Sequence, residues 1–133
     1  MISPSANRVL LIEPDRPLAD HIAAFLSRAD FTVETHSDPQ AAIMIADANS
    51  PDIVIMDLLM ASHSAIEFLY EFRSYPEWQG VPVIVLSSLS EDELRPFSQS
   101  LCQLNIHKHI YKPHIQFNAL VREVQSLLQP AMV

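Results

Sequence analysis

Four residues with chemically useful side chains stand at the ends of apolar stretches in this 133-residue chain. Glu13 follows the letters VLLI, Asp57 follows IVIM, Ser87 follows VIVL, and Lys112 follows HKHIY. Two carboxylates attract a hard cation such as Mg²⁺, which prefers oxygen ligands. An aspartate can act as a nucleophile toward a phosphoryl group, and a hydroxyl and an ammonium can hold the oxygens of that group as charge shifts. The four residue types therefore predict phosphoryl-transfer chemistry if the fold brings them together.

The elements that must position these residues are short strands. Three apolar, β-branched stretches suit central strands of a parallel sheet that is covered on both faces. Two weaker stretches are expected nearer the edges of the sheet. The predicted strands are residues 9–12, 31–35, 53–56, 83–86 and 107–111.

Helical patterns alternate with these strands. We expect a first helix with Pro17 in its first turn, a second capped by Asp38, and a third after Ser62 or Ser64. The fourth lies between residues 90 and 104, and the fifth runs from about residue 115 to 128.

The fourth helix has two competing starts. Ser90 with Glu93 is typical of a capping box, but Pro96 would then lie too deep for an undisturbed helix. We therefore expect the helix to begin at Arg95 or Pro96, with residues 90–94 as an ordered turn and with Leu101 among its inward-facing residues.

Five alternations of strand and helix predict a three-layer α/β fold with a parallel sheet. In such sheets the ligand site lies beyond the carboxyl ends of the strands, where the four residues stand. We expect one domain over residues 8–129, with tails at 1–7 and 130–133.

Composition excludes several kinds of function. The net charge is -8 with no cluster of Lys and Arg, which disfavours direct nucleic-acid binding. Gly80 is the one glycine, so the chain cannot build a dinucleotide fingerprint or a P-loop. A single cysteine, Cys102, and the lack of a membrane-length or signal-peptide apolar run lead us to expect a soluble cytoplasmic protein with no membrane partner.

The stretches VLLIEPD, PDIVIMDLLM, VPVIVLSS and HIYKP resemble those of CheY-like receiver domains of the two-component response-regulator family. The resemblance covers the chain from about Arg8 to Leu128. It implies a flavodoxin-like fold with five helices and strand order 2-1-3-4-5. It also implies that Asp57 is phosphorylated, that Ser87 binds the phosphoryl group and moves on activation, and that Lys112 contacts the phosphoryl oxygens.

The resemblance also implies a Mg²⁺ site made by Glu13, Asp57 and the backbone carbonyl of Leu59. One position of the metal site departs from the family pattern, because the second member of the usual acidic pair is Pro14, which has no carboxylate. Asp15 is one residue further on. We therefore expect Mg²⁺ to be weakly bound.

Other departures lie around the site. Ala61 and Ala65 stand where the family usually has Pro and Gly, and Asn105 replaces a Gly before the fifth strand. Asn tolerates the left-handed conformation. The aromatic switch position on the fifth strand is His109, so Ser87 and His109 are the expected switch residues.

The function implied is that of a signalling switch and not an enzyme. A partner histidine kinase or phosphotransfer protein would phosphorylate Asp57, and output would pass through contacts with an unknown downstream protein. The alternative is a pseudo-receiver, which binds proteins without phosphorylation because Pro14 removes a Mg²⁺ ligand. A metal-dependent phosphatase has little support, since no second nucleophile or general-acid motif follows Asp57.

Two further patterns each allow an ordinary structural interpretation and a functional one. His107 and His109 share one face of a predicted strand, but no Cys or carboxylate completes a tetrahedral metal set, so we interpret them as isolated histidines. Ile43, Met44 and Ile45 cannot all face inward from one helix. They indicate either scattered exposed apolar residues or a contact patch for a partner or a second copy.

Overall fold

The computed structural model describes residues 7–58 and 65–128. Within them, five parallel strands form one sheet in the order β2-β1-β3-β4-β5. The strands are β1 (Arg8–Ile12), β2 (Thr32–His36), β3 (Ile53–Asp57), β4 (Val83–Ser87) and β5 (Lys108–Tyr111). The predicted fold class and strand order are confirmed.

The helices alternate with the strands, as the sequence predicts. They are α1 (Arg16–Arg28), α2 (Pro39–Ala48), α3 (Ala65–Ser74), α4 (Glu91–Leu94), α5 (Ser98–Gln103) and α6 (Phe117–Leu128), with three 3₁₀ turns at Pro76–Trp78, Arg95–Phe97 and Lys112–His114. Together, α4 and α5 occupy the place of the fourth expected helix. Among the described helices, none combines the length and the apolar character that crossing a bilayer requires.

Alternate residues of the three central strands face opposite sides of the sheet, which explains their continuous apolar character. Val9, Ile53 and Ile84 pack in a cluster that includes residues of α1 and α6. Leu10 and Val54 pack in the opposite cluster, to which α2, α3 and α5 contribute. The two clusters make the sheet the middle layer of three.

The expected start of the fourth helix was wrong. The capping box at Ser90 is formed, since the Ser90 hydroxyl accepts from the Glu93 N–H and the Glu93 carboxylate accepts from the Ser90 N–H. The helix begins there as α4 and tightens into a 3₁₀ turn, with Pro96 in its first positions. A backbone N–H at the start of that turn has no partner within it, so proline, which lacks the N–H, fits there. A regular helix resumes at Ser98.

Smaller differences also have local causes. Asp30 adopts a φ of 71° in the turn after α1, and β2 begins at Thr32, one residue after the expected start. The 3₁₀ turn that contains Pro113 precedes an extended Ile115, so α6 begins at Phe117 and not near Ile115. The predicted left-handed conformation of Asn105 is confirmed, with a φ of 56°.

The apolar stretch in α2 divides between the core and the surface. Ile43 and Ile45 pack against the buried cluster, and Met44 is 76% exposed. One exposed methionine does not make an apolar patch, so the structure favours the ordinary interpretation of this stretch.

Candidate functional site

The sheet brings the four predicted residues to one edge. Asp57 and Ser87 are the last residues of β3 and β4, Glu13 directly follows β1, and Lys112 directly follows β5. The parallel register aligns these ends, since Asp57 pairs with Leu86 in the neighbouring strand. The order β1-β3-β4 places the Asp57 strand between the strands that carry the other two buried polar residues.

Lys112 joins the two carboxylates of the site. Its Nζ donates to Asp57 Oδ2 at 2.5 Å and to Glu13 Oε2 at 3.1 Å. The Lys112 side chain is only 16% exposed, and the Glu13 and Asp57 side chains are 0% and 6% exposed. Water therefore screens these contacts little, so they are stronger than ion pairs on the surface.

Burial and charge compete in setting the protonation of the site. Burial raises the pKa of Glu13 above its ordinary value, and the charge of Asp57 acts in the same direction. The Asp15 N–H and Lys112 oppose that shift. Burial alone would lower the pKa of Lys112, but its hydrogen bonds to Asp57 and Glu13 and their charges outweigh burial and raise it. Lys112 is therefore an ammonium ion at neutral pH.

Ser87 is fully buried, and its hydroxyl oxygen accepts a hydrogen bond from the Leu89 N–H at 2.8 Å. This contact ties the end of β4 to the chain that leads into α4. The sequence offered no signal for Leu89 as the partner of Ser87.

His109 lies beside β4, where it is paired in register with Val85. Its ring is half-buried, and burial lowers the pKa of His109. Its Nε2 is buried and has no hydrogen-bond partner within the described part of the chain. The imidazole is therefore held in its neutral form more strongly than an exposed histidine.

A comparison of the sequence with known protein families agrees with the arrangement of polar residues at this edge of the sheet. A model of the response regulator receiver domain matches residues 9–125. The chain belongs to this family. It is 27% identical over 124 residues to regulatory protein VanRB of Enterococcus faecalis, covering 92% of this chain and 52% of that protein. It is 31% identical over 85 residues to protein RcaC of Microchaete diplosiphon, covering 64% of this chain and 13% of that protein.

Solved structures show the same fold. The chemotaxis response regulator CheY4 of Vibrio cholerae superposes with a TM-score of 0.82 at 21% identity, covering 93% of this chain and all of that one. The chain spans about half the length of VanRB and a small part of RcaC. As a receiver domain it has the role of a phosphoacceptor in two-component signalling, and receiver domains interact with histidine kinases or phosphotransfer proteins.

Receiver domains use Mg²⁺ at the site of phosphorylation. Whether this site fits the ion depends on the oxygen ligands that its residues offer. Glu13 Oε1 is buried and has no hydrogen-bond partner among the described residues, which makes it a suitable oxygen for a hard cation. Pro14 is exposed and supplies no side-chain oxygen. In residues 7–58 and 65–128, no three His, Cys or carboxylate side chains are grouped so that they could hold a metal ion. The described residues therefore fit a Mg²⁺ ion that keeps several waters, held by Glu13 and Asp57.

Asp15 does not replace the acidic residue that Pro14 lacks. Its Oδ1 accepts from the Leu18 N–H at 3.2 Å and caps α1. Its own N–H donates to Glu13 Oε2 at 3.0 Å, so Asp15 positions Glu13 through the backbone. An Asp two residues before Pro17 is a helix-start pattern, so the cap could have been found from the sequence.

Leu59, the predicted carbonyl ligand, and Ala61 lie outside the described residues. Ala65 is the first residue of α3 and is fully buried. His107, paired in the sequence analysis with His109, precedes β5 and lies 2.9 Å from Glu123 Oε2 through its Nε2.

Proposed function

We propose that this receiver domain accepts a phosphoryl group on Asp57. The observation that carries the proposal is the 2.5 Å contact between Asp57 Oδ2 and Lys112 Nζ at the carboxyl edge of the sheet. A buried carboxylate beside an ammonium is a nucleophile with a cation already in place for the oxygens of an incoming phosphoryl group.

In the proposed reaction, an Asp57 carboxylate oxygen attacks phosphorus, and the bond from phosphorus to the imidazole nitrogen of the donor histidine breaks in line with it, so that the donor leaves as a free histidine. Lys112 then holds a phosphoryl oxygen, and the Ser87 hydroxyl, which stands at the end of the neighbouring strand, donates to another. Positioning and charge do most of the catalytic work, because phosphoryl transfer asks for little covalent help from the protein.

We propose that Glu13, Asp57 and the carbonyl of Leu59 hold Mg²⁺, and that they hold it weakly. When bound, the ion neutralises charge on the phosphoryl oxygens. Two observations support weak binding. Pro14 has no carboxylate, and the carboxylate of Asp15 caps α1 and so does not replace the missing ligand.

We further propose that Ser87 and His109 carry the switch. Loss of the contact between Ser87 and Leu89 would free the segment before α4, and the half-buried His109 ring on β5 could then move inward. The altered surface would comprise α4, α5 and β5. Phosphorylation would come from a partner histidine kinase or phosphotransfer protein in the cytoplasm, and the domain would act as a switch and not as an enzyme with turnover of its own.

The test uses phosphoramidate, whose P–N bond resembles that of a phosphohistidine donor. The chain is incubated with phosphoramidate and Mg²⁺, and the intact mass is followed. We expect the added mass of one phosphoryl group, located by peptide mapping on the segment that contains Asp57. No added mass, or a stable adduct elsewhere, would contradict the proposal.

A further inference from the structure

The His109 ring lies at the edge of the sheet with one of its nitrogens hidden from water. His109 is paired in register with Val85 of β4 and is half-buried as a whole. Its Nε2 atom is buried and has no hydrogen-bond partner within residues 7–58 and 65–128. A charged imidazole costs more in such a place than a neutral one, because a buried charge needs a partner.

The groove between β5 and α6 offers this ring no free counter-charge among the described residues. Glu123 is the carboxylate of the groove, and it is already engaged by His107 Nε2 at 2.9 Å and by Lys108 Nζ at 3.3 Å. The other titratable side chains that line the groove are Lys108, Tyr111 and His114. None of these three carries a negative charge at neutral pH.

The elements on the other side of β5 are equally poor in partners for a protonated ring. The charged side chains of α4 and of the turn after it are all exposed, and they are Glu91, Asp92, Glu93 and Arg95. Arg95 pairs with Asp92, and Glu93 accepts from the Ser90 N–H. The one titratable residue of α5 is Cys102, which is exposed. A proton on His109 is therefore stabilised by water and not by the fold.

The two positions of the proposed switch would bind that proton with different affinity. In the inward position the ring loses the water that now reaches its exposed part, so a charged ring costs more there than in the half-buried position. A proton and the inward position therefore oppose each other. By linkage, whatever favours the inward ring also weakens proton binding by the same factor.

We propose that His109 makes this receiver domain pH-sensitive: a proton on the ring holds the switch outward and opposes the change that phosphorylation of Asp57 produces. The proposal rests on the proposed roles of Asp57 and His109. The ring is neutral above the ordinary histidine pKa of about 6.5, and the switch is fully available there. Since burial lowers the pKa of His109, the ring gains its proton as the pH falls through that lower value.

The test on the wild-type chain is an NMR titration of the His109 ring with and without phosphoramidate and Mg²⁺, with the intact mass giving the phosphorylated fraction. We expect the ring to bind its proton at least about fivefold more weakly after phosphorylation, the lower end of ordinary coupling between sites. The charge of the phosphoryl group alone would act in the opposite direction, since an added anion favours a protonated histidine. An unchanged or higher proton affinity overturns the proposal.

Hydrogen exchange over residues 91–111 gives a second readout, as the ratio of phosphorylated to unphosphorylated chain at about pH 7.5 and about pH 5. The change on phosphorylation should be at least about twofold smaller in acid, after correction for the phosphorylated fraction. His109→Phe keeps an aromatic ring without the proton, and its response should be equal at both pH values. His107→Gln changes an exposed histidine two residues earlier and should behave like the wild-type chain.

The outcomes separate this device from the phosphorylation itself. No mass gain overturns the pH-sensitive switch and the proposed role of Asp57 together. A mass gain with no change in exchange, or with equal changes at both pH values, overturns the switch and leaves Asp57 as the phosphoacceptor. A pH response that persists in His109→Phe, or that His107→Gln abolishes, overturns the role of His109.

Discussion

Lys112 Nζ lies 2.5 Å from Asp57 Oδ2, and the same nitrogen lies 3.1 Å from Glu13 Oε2. Strands β1, β3 and β5 deliver the three residues, and each residue stands where its strand ends. The contact therefore depends on the order of the strands and not on any local motif.

Replacing Pro14 by Asp should tighten Mg²⁺ binding by about tenfold, because one extra unit charge near the ion at this exposed position contributes on the order of 1 kcal/mol. Isothermal titration of Mg²⁺ into both chains measures the effect. Asp15→Asn is the matched control, since Asn caps a helix about as well as Asp and should leave the affinity nearly unchanged. If Asp15→Asn loses the affinity instead, Asp15 is a metal ligand and our account of the site is wrong.

Arg73 should be a large contributor to stability. Its guanidinium donates to the backbone carbonyls of Trp78, Gln79, Leu104 and Asn105, and so ties α3 to the turn before β5. Arg73→Met keeps the apolar stem but leaves partly buried carbonyls without their donors, and it should lower the free energy of unfolding by about 2–3 kcal/mol.

Urea denaturation of Arg73→Met and of Arg122→Met gives the comparison. Arg122 is exposed on α6, and its replacement should change stability little. Equal losses in the two variants would show that the carbonyl contacts of Arg73 add nothing beyond an ordinary surface charge.

His109 should make the fold less stable on mild acidification. Burial lowers its pKa in the folded state, so the unfolded chain binds the proton first. The stability that the neutral ring contributes is complete above the ordinary histidine pKa of about 6.5 and is lost as the pH falls through the lower folded value.

The measurement is the free energy of unfolding of the wild-type chain and of His109→Gln between about pH 7.5 and about pH 5.5, on either side of the ordinary value. The wild-type chain should lose more stability over this range than the variant. A difference between the two chains that stays constant with pH would mean that the ring is not held neutral by the fold.

The sheet and its polar edge could be predicted because their signals are local and redundant. The strands 53–56 and 83–86 are apolar on both faces, which permits only a covered position, and Asp57 and Ser87 follow them directly. Asn105 was predictable too, since few residues tolerate its φ of 56°.

The remainder could not be predicted, either because two local patterns conflicted or because a contact joins residues far apart in the sequence. The competition between the capping box at Ser90 and the helix-breaking effect of Pro96 was settled by a 3₁₀ turn that satisfies both residues. The position of Lys112 between Glu13 and Asp57 depends on three strand ends meeting in space. The Leu89 N–H that holds Ser87 belongs to a loop whose path the sequence does not specify.

Whether Asp57 accepts the phosphoryl group is tested by the intact mass of the wild-type chain, Asp57→Asn and Asp47→Asn after exposure to acetyl phosphate. Asp47 is an exposed aspartate of α2, and its replacement controls for phosphorylation of surface carboxylates. We predict one added phosphoryl group on the wild-type chain and on Asp47→Asn, and none on Asp57→Asn, because an amide at position 57 cannot attack phosphorus as a carboxylate does. A full mass gain in Asp57→Asn would contradict the account.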